Sequence, residues 1–422
     1  MSEARSVQRT YLLLTVLSTL AASFIWGINT LFLLDAGLSN TEAFAANAFF
    51  TGGQVLFEIP TGVVADTWGR RASYLLGTAT LLLSTLLYVA MWRVHAPMWG
   101  WAIASILLGL GFTFFSGATE AWLVDALTFS GARHTLESVL ARGQTLAGVA
   151  MLTGSVMGGV VAQMTDLGMP YVLRSILLGV TLAVAFVSMK DLGFTPERGK
   201  SPLETVRAVV RGSLDQGLRN PPARWLMLAA PFSMGVSMFT FYALQPYLLQ
   251  LYGDPRAFWI SGLAAAIVAG CEIVAGLIAP HVRKLFSRRT HGLLVATALG
   301  VGCLALIGGT THFWVAIAAL VVSALSQAAT RPMRQAYLNG VIPSGQRATV
   351  LSFDNLMGSA GGVVVQPALG RVADVAGYAS AYVVSAAIQA MSLPFLVLAR
   401  RNNVPADLIQ LREPPRGRPE ES

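Results

Sequence analysis

The stretch FEIPTGVVADTWGRR, Phe57–Arg71, sets a glutamate inside an apolar run, follows it with proline and glycine, and closes on an aspartate and two arginines. A few residues later TATLLLSTLLYVAMW (78–92) carries no charge and no alternation of polarity. Charges gathered at a boundary, then a long uncharged run, is the pattern of a helix leaving water for a bilayer. A hydrocarbon core about 30 Å thick takes roughly twenty apolar residues per helical span. Membrane β-strands would instead show segments of about ten residues alternating in polarity, so the sequence predicts helices.

The same reading extends along the chain. Hydrophobic residues make up 54% and charged residues 12% of the sequence, about half the charged share of an ordinary globular domain. Twelve spans are predicted, at 11–34, 40–65, 72–92, 97–127, 138–164, 168–190, 222–251, 256–281, 291–310, 312–340, 348–373 and 377–399. They leave no room for a soluble domain. The expected class is therefore an all-α membrane protein of two six-helix bundles: residues 1–190, a cytoplasmic linker 191–221, residues 222–399, and a cytoplasmic tail 400–422.

Positive charge stays in short cytoplasmic loops. With both termini inside, 25 of the 29 Lys and Arg residues fall on the cytoplasmic side, leaving Arg93, Arg174, Arg256 and Arg371 outside. The net charge of +8 then follows from basic loops facing anionic lipid headgroups, and no nucleic-acid footprint is visible. The first apolar run exceeds a signal-peptide core and lacks a small-residue cleavage site, so it is expected to remain as the first span. Cys271 and Cys303 both lie within spans, out of reach of disulfide-forming compartments. No metal-ligand spacing, phosphate loop or nucleophile elbow occurs. Neither a cofactor, a metal nor an enzyme is expected.

The polar stretch 191–221 divides the spans six and six, and the sequences on either side repeat. A shift of 214 lays Glu58-Ile-Pro-Thr-Gly62 on Glu272-Ile-Val-Ala-Gly276 and Trp122-Leu-Val-Asp125 on Ala336-Tyr-Leu-Asn339. GSVMGGVVAQ (154–163) matches GSAGGVVVQ (358–366) with a one-residue gap, and Asn29 falls opposite Gln245 at a shift of 216. Parallel repeats about an axis along the membrane normal, with a solute site between them near the midplane, form a transporter arrangement.

Gly62-Val-Val-Ala-Asp66-Thr-Trp-Gly69-Arg70-Arg71, between the second and third spans, resembles motif A of the major facilitator superfamily. Gly154-Ser-Val-Met-Gly158-Gly159 is similar to the glycine-rich motif C of drug/proton antiporters, with Ser155 where that motif has proline. The antiporters' fourth-helix arginine is missing, its place before Gly109-Leu-Gly111 being taken by Ser105. The resemblance implies that Asp66 faces the start of the eleventh helix and Arg70 pairs with Asp125, latching the halves on the cytoplasmic side with Gly62, Gly69 and Arg71. Helix N-termini attract anions, and glycine lets backbones approach.

Glu58 lies eight residues before Asp66 on the same helical face, about 12 Å deeper at ~1.5 Å per residue. A lipid-facing charge there costs about 2.5 kcal/mol or more, so Glu58 must be protonated, paired or beside water. Glu120 and Glu272 meet the same demand. At least one of the three is expected to carry a coupling proton, because burial raises a carboxyl pKa; the alternative is a fixed glutamate bridging helices. Phe24, Trp26, Asn29, Phe239, Tyr242 and Gln245 are candidates for the solute cavity, since rings with a few polar handles suit a mostly apolar ligand. Aromatic packing between helices is the other reading of the same residues.

The expected function is proton-coupled export of small, largely apolar compounds across a bacterial cytoplasmic membrane, by a monomer contacting membrane lipids. A nutrient permease is the first alternative, and a transporter-like sensor the second.

Overall fold

A computed structural model describes residues 3–196, 211 and 217–409. Most of the linker and the tail beyond Ile409 lie outside the described residues. Among the described residues fourteen α-helices account for the spans: α1 (Glu3–Trp26), α2 (Asn29–Asp35), α3 (Asn40–Thr67), α4 (Arg70–Arg93), α5 (Met98–Thr113), α6 (Ala118–Phe129), α7 (Leu136–Met164), α8 (Met169–Ser188), α9 (Pro221–Tyr252), α10 (Phe258–Lys284), α11 (Arg289–Gly309), α12 (Phe313–Val341), α13 (Arg347–Ala390) and α14 (Ser392–Arg401). Among the described residues the one β feature is an isolated bridge between Arg288 and Leu408.

Within the described residues eleven helical stretches are long and apolar enough to cross a membrane, and the last, Thr349–Arg401, contains two spans. Gly377, with φ 81°, turns the chain inside α13, so α13 crosses the bundle before it and returns with α14 after it. Residues 3–188 form one six-span bundle and 221–401 the other. The halves meet along α3 against α13 and α7 against α10.

The first and fourth predicted spans are each broken, which apolar periodicity does not register. Gly27 and Ile28 separate α1 from α2, and residues 114–117 separate α5 from α6, where Gly117 takes φ 69°. Arg174, expected at the outer surface, instead lies inside α8 with 1% exposure. Its Nε donates to Thr85 Oγ1 (3.0 Å) and its Nη1 to the Ala21 carbonyl (3.2 Å), with the guanidinium over the Phe112 ring. It is not an outer loop charge; in the fold it bolts α8 to α1 and α4.

The duplication also shows in contacts that no sequence shift revealed. Asp191, just past α8, accepts from the Arg71 amide (2.8 Å) at the start of α4. Asp407, past α14, accepts from the Thr290 amide and hydroxyl (both 2.8 Å) at the start of α11. In each half a carboxylate following the sixth span caps the third, satisfying amides that have no partner within the helix. Burial raises the Asp191 carboxyl pKa, opposed by its bond from the Arg71 amide and by the Arg71 charge. Asp407→Ala leaves the α11 start uncapped and is expected to cost about 1–2 kcal/mol, read as a lower thermal midpoint of the purified protein.

Candidate functional site

Two faces of the molecule are distinguished by the chain: a terminal face, where α1 starts and α14 ends, and a far face, where α2 and α4 end. On the far face the halves are closed. The Asp374 carboxylate of α13 accepts from the Asn40 and Thr41 amides (both 2.9 Å) at the start of α3, and Thr41 Oγ1 donates to it as well. Tyr378 Oη donates to Asn40 Oδ1. Below this, Phe44 of α3 meets Phe239 of α9 at a ring separation of 4.6 Å.

Small residues set the closeness of the seam. A Cβ on Gly262 of α10 would stand 2.6 Å from the Ser155 carbonyl oxygen and 2.9 Å from Gly159 Cα of α7. One on Gly27 would stand 2.8 Å from Gly262 Cα. The three glycines therefore let the first, fifth and eighth spans touch by backbone. Of the motif C-like glycines, Gly159 serves this contact, while Gly154 and Gly158 press against Ser23 and Phe24 of α1 within their own half.

Toward the terminal face the contacts give out. Gly148 still meets Ile273 and Gly52 still meets Val363, but Gly62 and Gly276 have no atom within 4 Å of an added Cβ. The motif A residues cluster inside the first half. Arg70 Nη1 lies 2.6 Å from Asp66 Oδ1, and its Nε 3.9 Å from Asp125 Oδ2. Arg71 donates to the Phe186 carbonyl (2.8 Å). Gly69, at φ 109°, is held against the Asp191 carboxylate, where a Cβ would collide. Asp66 is paired within its own half and partly exposed.

A cavity of about 300 Å³ opens beside the seam, walled mostly by the second half. Trp26, Phe241, Tyr242 and Tyr382 supply rings; Ser323, Gln327 and Gln389 supply polar groups; Glu272 and Arg331 supply charge. Glu272 Oε1 and Arg331 Nη1 are 3.0 Å apart, with side chains 48% and 64% exposed. Gln327 Nε2 donates to Ser323 Oγ (2.9 Å). Such a wall can hold an apolar body by its rings while its polar groups orient the remainder.

The sequence candidates distribute as follows. Trp26, Tyr242 and Glu272 line the cavity. Phe24 is buried against α7, and Phe239 lies in the seam. Asn29 donates to Asn47 (2.8 Å) and accepts from Tyr171 (2.9 Å). Gln245 is spent on the backbone around the α1–α2 break. Glu58, the mate of Glu272, is exposed and accepts from Ser116 Oγ (2.6 Å) at the α5–α6 break, and Glu120 is exposed in the first turn of α6. Sequence reasoning missed Arg331, Gln327, Gln389 and Asp374. Arg331 and its neighbour Pro332 stood inside the predicted span 312–340, the same anomaly that singled out Glu58, yet the arginine was counted as a loop charge.

The chain matches the family model of the Major Facilitator Superfamily over residues 11–364 and 262–420. It belongs to that superfamily and is a multi-pass membrane transporter of small molecules. An uncharacterised MFS-type transporter of Methanocaldococcus jannaschii is 18% identical over 88% of this chain and 92% of its own length. Among solved structures, the nucleoside transporter NupG superposes with a TM-score of 0.76 at 10% identity, covering 93% of this chain and 98% of that one. A bacterial homologue of the human lysosomal transporter Spinster, in an inward-facing, unoccupied conformation, gives 0.72 at 15% identity over 97% and 99%. The POT family transporter PepTSo gives 0.73 at 11% over 94% and 98%.

Gly262→Val introduces bulk where backbone now stands and is expected to open the far-face seam. A cysteine at Phe44, buried in that seam, then gains reactivity toward a membrane-impermeant maleimide several-fold over the same cysteine without the Gly262 change. Asp374→Asn, which removes the charge from the α3 cap, should act in the same direction and more weakly.

Proposed function

We propose that the protein exports small, largely apolar compounds across a bacterial cytoplasmic membrane in exchange for protons, by alternating access of the cavity beside the seam. With the termini cytoplasmic, as the charge bias favours, the far face is external and the conformation described is open to the inside. The observation that carries the reading is the Glu272–Arg331 pair at 3.0 Å in the wall of a cavity otherwise lined by uncharged side chains, four of them rings. A carboxylate there has a charge state coupled to whatever occupies the cavity. Protonation frees Arg331 and alters the polarity that a solute meets, so proton and solute compete or cooperate at one place.

In this reading the motif A cluster is disengaged, and closing the inside brings Asp66 to the start of α13 while the far face parts. Glu58 and Glu120 remain candidates for the proton beside Glu272. Acidic groups among rings would also accept a lipophilic cation.

A second reading is uptake by a permease. It is favoured by the partners that Glu58 and Glu272 already have in Ser116 and Arg331, which would suit fixed bridges between helices. In proteoliposomes, inverting the imposed proton gradient reverses solute flux for an antiporter and leaves a uniporter unchanged. Glu58→Gln, Glu120→Gln and Glu272→Gln are each to be tested for gradient-driven transport. At least one is expected to lose accumulation by ten-fold or more on the order of a removed coupling group, and retention of coupling in all three would sink the proposal.

A further inference from the structure

The break in the first span is a place where one half supplies the other with backbone hydrogen bonds. In a continuous α-helix the Thr30 amide donates to the Trp26 carbonyl four residues back. Here the side chain of Gln245, from α9 of the second half, stands between them. Its Oε1 accepts from the Thr30 amide and its Nε2 donates to the Trp26 carbonyl, both at 2.8 Å. One side-chain amide thus substitutes for one peptide bond's worth of pairing, acceptor for acceptor and donor for donor. Gln245 is 3% exposed, and both polar atoms of its side chain are occupied.

We propose that Gln245 is a positioning residue of the transport cycle. Its amide bolts the far-side gate, and its withdrawal lets Thr30 and Trp26 bond to each other, straightening the first span and shifting Trp26 in the cavity wall. The inference rests on alternating access, though not on export or on proton coupling.

Three features support an exchange over a permanent plug. The groups that Gln245 separates are each other's helical partners, so its departure strands neither in the bilayer, where unpaired backbone groups are costly. The contact crosses the seam beside Gly27 and Gly262, where the halves must part for the far side to open. Trp26, whose carbonyl accepts from Gln245, also lines the cavity and meets Phe241 of the second half edge-on at 5.5 Å. Opening the gate and reshaping the solute cavity are therefore one movement. Asn29, the repeat mate, is not part of it, because its amide is held by Asn47 and Tyr171 of its own half.

The test uses spin-label distances in the full-length protein in liposomes, with Cys271 and Cys303 replaced by alanine and no solute or pH gradient present. One label pair, at Val94 and Trp314, reports the far face; a second, at Phe129 and Leu285, reports the terminal face. All four positions are exposed. Gln245→Met preserves length and apolar packing but neither hydrogen bond. It is expected to lengthen the far-face distance, shorten the terminal-face distance and shift the population ratio about five-fold, the worth of roughly one net hydrogen bond. The Thr30 amide should stay protected from hydrogen exchange, because Trp26 takes it over. Gln245→Glu, which keeps the acceptor and sets an oxygen against the Trp26 carbonyl, should shift the ratio in the same direction. Unchanged distances in Gln245→Met overturn the proposal, as does an exposed Thr30 amide in a population that has moved. A parent protein whose distances never vary, with or without a proton gradient, would instead overturn alternating access.

Discussion

A backbone amide released inside a bilayer has no water to turn to, and most of the particular features of this transporter follow from that constraint. Where the spans run unbroken, the helix satisfies itself. At four places where they begin or break, a side chain from elsewhere does so: Gln245 at the α1–α2 break, Asp374 at the start of α3, Asp191 at α4 and Asp407 at α11. Three of the chain's carboxylates, Asp374, Asp191 and Asp407, thus sit at helix N-termini, where the macrodipole favours them. Two of these four contacts, from Gln245 and Asp374, run from the second half to the first, so satisfying the backbone and closing the far face are the same act.

The two halves share ancestry in sequence but divide the labour. Glu58 accepts from a neutral serine at the α5–α6 break, while its mate Glu272 pairs with Arg331 beside Pro332 in α12. At the shift of 214 that aligns the glutamates, Arg331 faces Gly117, the left-handed residue of that break. One half spends the position on a bend, and the other places a cation in the cavity wall. The cavity accordingly draws its polar groups from the second half and, among its named rings, only Trp26 from the first.

The far-face contact of Asp374 with α3 gives a geometric counterpart to the motif A latch. In the proposed latch Asp66 of α3 meets the start of α13, so the two contacts would join the same helix pair at opposite ends, each setting a carboxylate of one helix at the N-terminus of the other. In the proposed cycle they alternate, because two rigid helices drawn together at one end part at the other. The closest glycine of that pair is Gly370 of α13, where an added Cβ would stand 2.9 Å from the Asn40 carbonyl oxygen at the start of α3, and Gly62, open here, is free to serve the other state.

Composition and the uncharged runs determined the class, the count of spans and the division into halves, because burial in lipid demands whole helices of apolar residues and leaves little room for alternatives. The repeat offset was equally legible, since it is carried by short identical words such as Glu58-Ile and Glu272-Ile. Depth alone marked Glu58 and Glu272 as charges in need of a partner. The partners were not legible: Arg331 and Ser116 lie 59 and 58 residues away from them, and contact at that separation is decided by how helices pack. The same holds for Gln245, whose sequence neighbours suggest a cavity residue and whose fold assigns it to a broken helix in the other half. Apolar patterning fixes which segments enter the membrane; which backbone groups are left wanting there, and which side chain answers them, is settled only when the bundles come together.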